Sequence, residues 1–300
     1  MNTVYLGTSE FAATVLRRLA ESPHRPSLVV TPPDRPRGRG RKTASPPAAE
    51  VARELGLELL QAKDVNAEPA LERIRAAGPQ VGAVCAFGQL IREPLLSESP
   101  LLNIHPSLLP RWRGAAPIER AIMAGDERTG VCVMRVTAGL DSGPVALREE
   151  VGVGPEEDFG ALSRRLASLG GELLVRALDL EAEGRLEFEE QDEGEATYAE
   201  KIEPAERRLD PSRPATELAR TVRALTPHVG AYLETAGGKL GVRSARAVDA
   251  SVQAGELKAE EATLLLGCDR GALSLDVVQP PGGKPMAIDA YLRGHPVPSL

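Results

Sequence analysis

A chain of 300 residues, 42% hydrophobic and 26% charged, has room for two buried cores and the composition of a soluble protein, not of a fibrous or disordered one. Its net charge of −7 speaks against a generally basic nucleic-acid-coating surface, and no run approaches the roughly 20 apolar residues of a membrane span, so no membrane partner is expected. Cys85, Cys132 and Cys268 make neither a disulfide framework nor a CxxC metal pattern, and the opening MNTVYLGTSEF lacks the parts of a signal peptide, so the expected location is cytoplasmic.

In chain order, residues 3–6 form a short apolar strand followed by Gly7-Thr8-Ser9. Ser9 is a helix N-cap, and Phe11, Val15, Leu16 and Leu19 recur at helical spacing behind it. A strand over 27–30, a long loop over 31–46, a helix over 46–55 and a strand over 57–60 follow. Residues 71–77 close a helix, 81–86 make a strongly apolar strand and 101–105 another strand. A helix over 115–124 carries Pro117 in its first turn, strands follow over 131–136 and 145–151, and a long helix spans 159–181. This alternation predicts a doubly wound, mostly parallel, Rossmann-like sheet over 1–185. Residues 186–206 are acidic and turn-rich and are expected to be a linker. Beyond them come a helix over 215–225 and short runs at 231–234, 241–247, 262–266 and 273–278, the spacing of a small OB-like β-barrel over 207–300.

Ligands of open α/β sheets bind beyond the carboxyl ends of the strands. Asn103 and His105 sit at one such end and, two residues apart, share a face. Asp141 lies in a glycine-bounded loop, TAGLDSG, after another strand. An amide, an imidazole and a carboxylate with no activated Ser or Cys suit direct acyl transfer to an amine. The amide donates to the developing oxyanion, the imidazole either donates to it as well when protonated or shuttles the amine proton, and the carboxylate orients or charges the imidazole and helps remove that proton. Ser107 lacks the GxSxG elbow of a nucleophile. Each residue also has a plainer reading: a strand-end amide bonded to its own backbone, a turn histidine before proline, a turn-forming aspartate. Gly7-Thr8-Ser9 lacks the spaced glycines of a dinucleotide site, against a nicotinamide cofactor.

Charge is unevenly spread. Residues 143–206 hold 18 acidic against 6 basic side chains, whereas 34–42, DRPRGRGRK, hold five cations and one anion. The latter is a cationic loop able to follow phosphates, and its alternative is a plain solvated loop.

The segments YLGTSEFAA, TPPDRPRGRGRK, NIHPSLLPRWRGAAPIERAI, GLDSGPV and ATYAEKI occur in this order between residues 5 and 202. With them the chain resembles the methionyl-tRNA formyltransferase family, whose wider group shares Asn-x-His followed by a distal Asp. The resemblance implies formyl transfer from 10-formyltetrahydrofolate, a co-substrate, to the methionyl amino group of initiator Met-tRNA, with no metal. It implies catalytic roles for Asn103, His105 and Asp141, and folate contacts from Ser107, Leu108, Leu109, Pro110, Phe87 and Gly88. It implies tRNA contacts from Arg35, Arg37, Arg39, Arg41 and Lys42, and from a C-terminal tRNA-binding domain. A monomer is expected. Two positions depart from the family pattern: Phe87 in CAFGQL, where Tyr is frequent, and His228 in TPHVGAY, where Trp is common. Alternatives are a sibling formyltransferase acting on a ribonucleotide or amino-sugar nucleotide, a Rossmann dehydrogenase, and a non-catalytic RNA-binding module. Only the first shares the trio, and it has no need of the cationic loop.

Overall fold

The computed structural model describes residues 1–37 and 42–300, and at Arg37 and Lys42 it describes the backbone alone. The chain divides into two compact units that interleave along the sequence. One takes Met1–Gly114, Thr129–Gly152 and Ser163–Tyr198; the other takes Ala115–Arg128, Val153–Leu162 and Ala199–Leu300.

In the first unit β1 (Thr3–Gly7) leads into α1 (Glu10–Ala20), where the Ser9 hydroxyl accepts from the Ala12 N–H and the expected apolar stripe is buried. β2 (Pro26–Thr31) follows. The segment read as a loop contains a short hairpin, β3 (Arg35–Arg37) with β4 (Lys42–Ala44), pairing Arg35 with Ala44 across its base. Pro and Gly hide such a strand pair, since neither gives an alternating apolar pattern. Next come α2 (Pro47–Glu54), β5 (Leu59–Gln61), α3 (Glu68–Ala77), β6 (Val81–Cys85), a single helical turn α4 (Leu95–Glu98), β7 (Leu101–His105) and β8 (Arg113–Gly114). After α5 (Pro117–Ala124), which belongs to the second unit, the chain supplies β9 (Arg128–Arg135), β10 (Val145–Gly152), the long helix α6 (Phe159–Ala182) and β11 (Tyr198–Ala199).

Seven strands form one sheet in the order β10-β9-β7-β6-β1-β2-β5. The pairs β1–β2, β1–β6, β2–β5 and β6–β7 are parallel, and β9 runs antiparallel to β7. This is the predicted doubly wound, mostly parallel architecture. The chain winds outward from β1 to β5, then returns to build β6 and β7 on the other side, so the order reverses between β1 and β6. Such a switch opens a crevice at the strands' carboxyl ends, where β1 hands over to Thr8 and β6 to Ala86. Every residue of β1 and β6 is buried, as a sheet covered on both faces requires. α6 lies close over β7: a Cβ at Gly170 would stand 2.8 Å from the Ile104 side chain.

In the second unit α7 (Ala215–Leu225) packs on an antiparallel sheet of β12 (Ala231–Thr235), β13 (Gly238–Val248), β14 (Leu257–Glu260), β15 (Thr263–Gly267), β16 (Ala272–Gln279) and β17 (Met286–Ala287), and α8 (Ile288–Gly294) ends the set. Leu218, Val222, Leu240, Val242, Leu266, Leu273 and Leu275 form its core. The path β12-β13-β16-β15-β14, with β17 beside β16, leaves β12 and β14 as its two ends. Sequence reading missed β14, whose LKAE is largely exposed and gives no apolar signal, and α8, which follows a Gly/Pro-rich turn.

Candidate active site

β7 places its last residues at the carboxyl edge of the sheet, one strand from the switch point. Ile104 turns to the α6 side, so Asn103 and His105 share the opposite face. The loop after β9 folds back tightly: a Cβ at Gly143 would lie 2.0 Å from the Arg135 carbonyl oxygen, so only glycine fits. Asp141, at φ 45°, turns its carboxylate toward β7.

The expected trio converges. Asn103 Nδ2 donates to Asp141 Oδ1 at 3.4 Å, and His105 Nδ1 faces Asp141 Oδ2 at 3.7 Å. The two side chains of the latter pair are 5% and 19% exposed, so little water separates them. The Gly114 N–H donates to the same Oδ2 at 2.9 Å. The second imidazole nitrogen, Nε2, lies 2.9 Å from the Trp112 carbonyl oxygen. A carbonyl only accepts, so Nε2 carries a proton, and Nδ1 of the neutral ring holds the lone pair that faces Asp141.

Thr197 and Gln191, which sequence reading did not single out, hold this arrangement together with Arg113. The Thr197 hydroxyl accepts from the Trp112 N–H at 3.0 Å, and Trp112 itself sits at φ 68°. Gln191 Nε2 donates to the Asp141 and Gly143 carbonyls at 2.8 and 2.7 Å. Arg113, 1% exposed, donates to Gln191 and forks onto Glu193, which drives its pKa further up. The acidic stretch read as linker is therefore packed along this edge through residue 197. The segment ATYAEKI contains Thr197, the one signal that could have found it.

Of the expected folate-contacting residues, Ser107 is fully buried and its hydroxyl donates to the Arg111 carbonyl at 2.6 Å, a structural bond that occupies the group. Leu108, Leu109 and Pro110, with Arg111, Arg148 and Glu150, border an open cavity of about 480 Å³. Phe87 is buried, its carbonyl accepts from the Thr8 hydroxyl, and Gly88 turns at φ 75°. The thiols stay out of the chemistry: burial pushes Cys132, paired across from His105, up to about 11, and Cys85 up to about 12. The Arg111 guanidinium lies 4.2 Å over the Trp112 ring.

Of the expected tRNA residues, Arg35 is exposed on β3, Arg37 and Lys42 close the described ends of the hairpin, and Arg39 and Arg41 lie outside the described residues. Beside them Asp34 accepts from Gln61, which lowers its pKa. In the second unit His228, the departure noted above, stacks on Phe159 with centroids 3.7 Å apart and bonds Glu119 at 3.0 Å. Among the described residues no helix is long and apolar enough to cross a membrane, and no three His, Cys, Asp or Glu side chains are grouped to hold a metal ion.

The formyl transferase profile matches residues 1–178, and the formyl transferase C-terminal domain profile matches 201–296. The methionyl-tRNA formyltransferase of Methylococcus capsulatus is 43% identical over 299 residues, covering 98% of this chain and 97% of that protein. That of Ruegeria pomeroyi is 42% identical over 301 residues, covering 99% and 98%. The chain belongs to the methionyl-tRNA formyltransferase family. As a formyl transferase it is an enzyme that moves a one-carbon group. Among solved structures it is similar in fold to the Clostridium thermocellum methionyl-tRNA formyltransferase, with TM-score 0.58, 16% identity, and coverage of 87% of this chain and 97% of that one. HypX from Aquifex aeolicus in complex with tetrahydrofolic acid matches at TM-score 0.66 and 18% identity, covering 97% of this chain and 46% of that one.

Proposed function

We propose that this formyl transferase moves the formyl group of 10-formyltetrahydrofolate onto the α-amino group of methionyl initiator tRNA, and so supports translation initiation in the cytoplasm. The observation that carries the reading is the meeting of Asn103, His105 and Asp141 at one strand edge, with His105 Nδ1 on the side of the carboxylate. The roughly 40% identity to enzymes named for Met-tRNA supports the acceptor.

Asn103 donates to the formyl oxygen as the amine attacks and negative charge gathers there. One such donor contributes about 3–4 kcal/mol. His105 takes the amine proton at Nδ1, its other nitrogen being already protonated and tied to Trp112. Asp141 stabilises the imidazolium that results. The new N–C bond forms first; as the resulting tetrahedral oxyanion collapses, the bond from the formyl carbon to the folate N10 breaks and the proton held on His105 goes to that departing nitrogen. An α-amino group titrates near pH 8, so a neutral, attacking amine is accessible at physiological pH.

The residues fit a folate co-substrate. Leu108 and Pro110 border the open cavity beside Arg111, Arg148 and Glu150, and turns at Ala86 and Gly88 follow the end of β6. Residues 1–185 carry this chemistry, 186–206 join it to the rest while packing Gln191 and Thr197 against the site, and 207–300 together with the basic segment Arg35, Arg37, Arg39, Arg41 and Lys42 bind tRNA as a monomer.

The test is a formylation assay with 10-formyltetrahydrofolate, charging one pool of tRNA with methionine and offering glycinamide ribonucleotide and an amino-sugar nucleotide in parallel. Formylation of Met-tRNA alone is expected. Preference for either nucleotide would contradict the acceptor assignment and favour the sibling activity.

A further inference from the structure

The trio is held by a stretch whose composition announces no chemistry. We infer that Gln191 and Thr197 are positioning residues for formyl transfer, acting through Asp141 and His105 respectively. The inference rests on the proposed roles of that pair and adds the groups that set their geometry.

Gln191 closes the Asp141 loop. Its Oε1 accepts from Arg113 Nε at 3.0 Å, and its Nε2 donates to the carbonyls of Asp141 and Gly143 at 2.8 and 2.7 Å. The guanidinium can only donate and the carbonyls can only accept, so the amide has one orientation. Asp141 occupies the left-handed region at φ 45°, which a non-glycine residue keeps only where its surroundings over-determine it. Two donations from the Gln191 amide, and one onto the carboxylate from Gly114, supply that determination. Gln191 is fixed in turn, because Arg113 is 1% exposed and clamped on Glu193 by bonds of 2.9 and 2.7 Å.

Thr197 does the same for the imidazole. Its N–H donates to the Pro110 carbonyl at 3.2 Å, its carbonyl accepts from the Arg113 N–H at 2.9 Å, and its hydroxyl accepts from the Trp112 N–H at 3.0 Å. Trp112 is thus held on both sides, its own N–H by the hydroxyl and the following peptide, whose carbonyl binds His105 Nε2, by the Arg113 N–H on the Thr197 carbonyl. Trp112 is also left-handed, at φ 68°, so its backbone needs the clamp. Displacing either partner moves the imidazole or the carboxylate off line without removing it.

The test is steady-state kinetics of the full chain with Met-tRNA and 10-formyltetrahydrofolate. Gln191→Glu keeps the acceptor for Arg113 and abolishes both donations. Thr197→Val keeps the shape and abolishes the hydroxyl, and Thr197→Ser retains it. Gln191→Glu and Thr197→Val are expected to lower kcat by about 10–100-fold, the penalty of misplacing a reacting group by an ångström. KM for both substrates should stay within about twofold, and Thr197→Ser should restore kcat. Wild-type kcat per folded molecule in Gln191→Glu and Thr197→Val, or a rise in KM in place of the fall in kcat, would overturn the inference. His105→Ala, run alongside, separates the two levels: full turnover there would overturn the roles of the trio themselves.

Discussion

The His105 Nε2–H donates a hydrogen bond to the carbonyl oxygen of Trp112, 2.9 Å away, and this bond decides which of its nitrogens can act. With Nε2 committed, Nδ1 is the basic atom, and it faces the Asp141 carboxylate at 3.7 Å. A base and the charge that stabilises its conjugate acid thus lie on one side of the ring, next to the Asn103 amide.

Removing that amide tests its share. Asn103→Ala is expected to lower kcat about 10²–10³-fold, the usual cost of one oxyanion donor. Folate affinity, measured by equilibrium binding, should change far less. A loss confined to binding would move Asn103 out of the chemistry.

The Asp141 loop tolerates no side chain at Gly143, since a Cβ there would stand 2.0 Å from the Arg135 carbonyl oxygen. Gly143→Ala must shift backbone, and the carboxylate two residues away moves with it. Turnover should fall by more than a drop in Tm accounts for. A variant with native turnover per folded molecule would show that the loop position is not critical.

Legibility followed locality. Asn103 and His105 are readable because polar residues two apart at the end of an apolar strand share a face, and Asp141 because glycines bracket it. Gln191 and Thr197 bond backbone atoms up to 85 residues away, and such side-chain-to-backbone bonds leave no periodicity in the acidic stretch they belong to. The parallel sheet was legible from its fully buried strands. The β3–β4 pair and β14 were not, being short, with pairing partners in place of apolar pattern to define them.

The thiols give a pH prediction. Folding raises Cys85 to about 12 and Cys132 and Cys268 to about 11, by burial. The unfolded chain then loses thiol protons at lower pH than the folded one, so the contribution to stability is complete below about pH 8.5 and declines as pH rises toward the folded values. A thiol-specific reagent at pH 8 should label none of the three until denaturant is added, and stability to urea should decrease above pH 9. Rapid labelling of the native protein would contradict this account of the thiols.

The basic segment is tested by salt. Changing Arg37, Arg39 and Arg41 together to Gln should raise KM for tRNA and make log affinity less steep against log salt, by roughly 0.7–0.9 for each phosphate no longer neutralised. KM for folate should not change. An unaltered salt slope would show that these arginines do not neutralise tRNA phosphates.

The most direct measurement of the central claim, that His105 and Asp141 act as one unit on the amine proton, is a double-mutant cycle in formyl-transfer turnover. His105→Ala and Asp141→Ala should each reduce kcat by about 10²–10⁴-fold. The double variant should then be no slower than the worse single one, because a unit already broken has nothing more to lose. Native turnover in either single variant, or losses that multiply in the double, would contradict it.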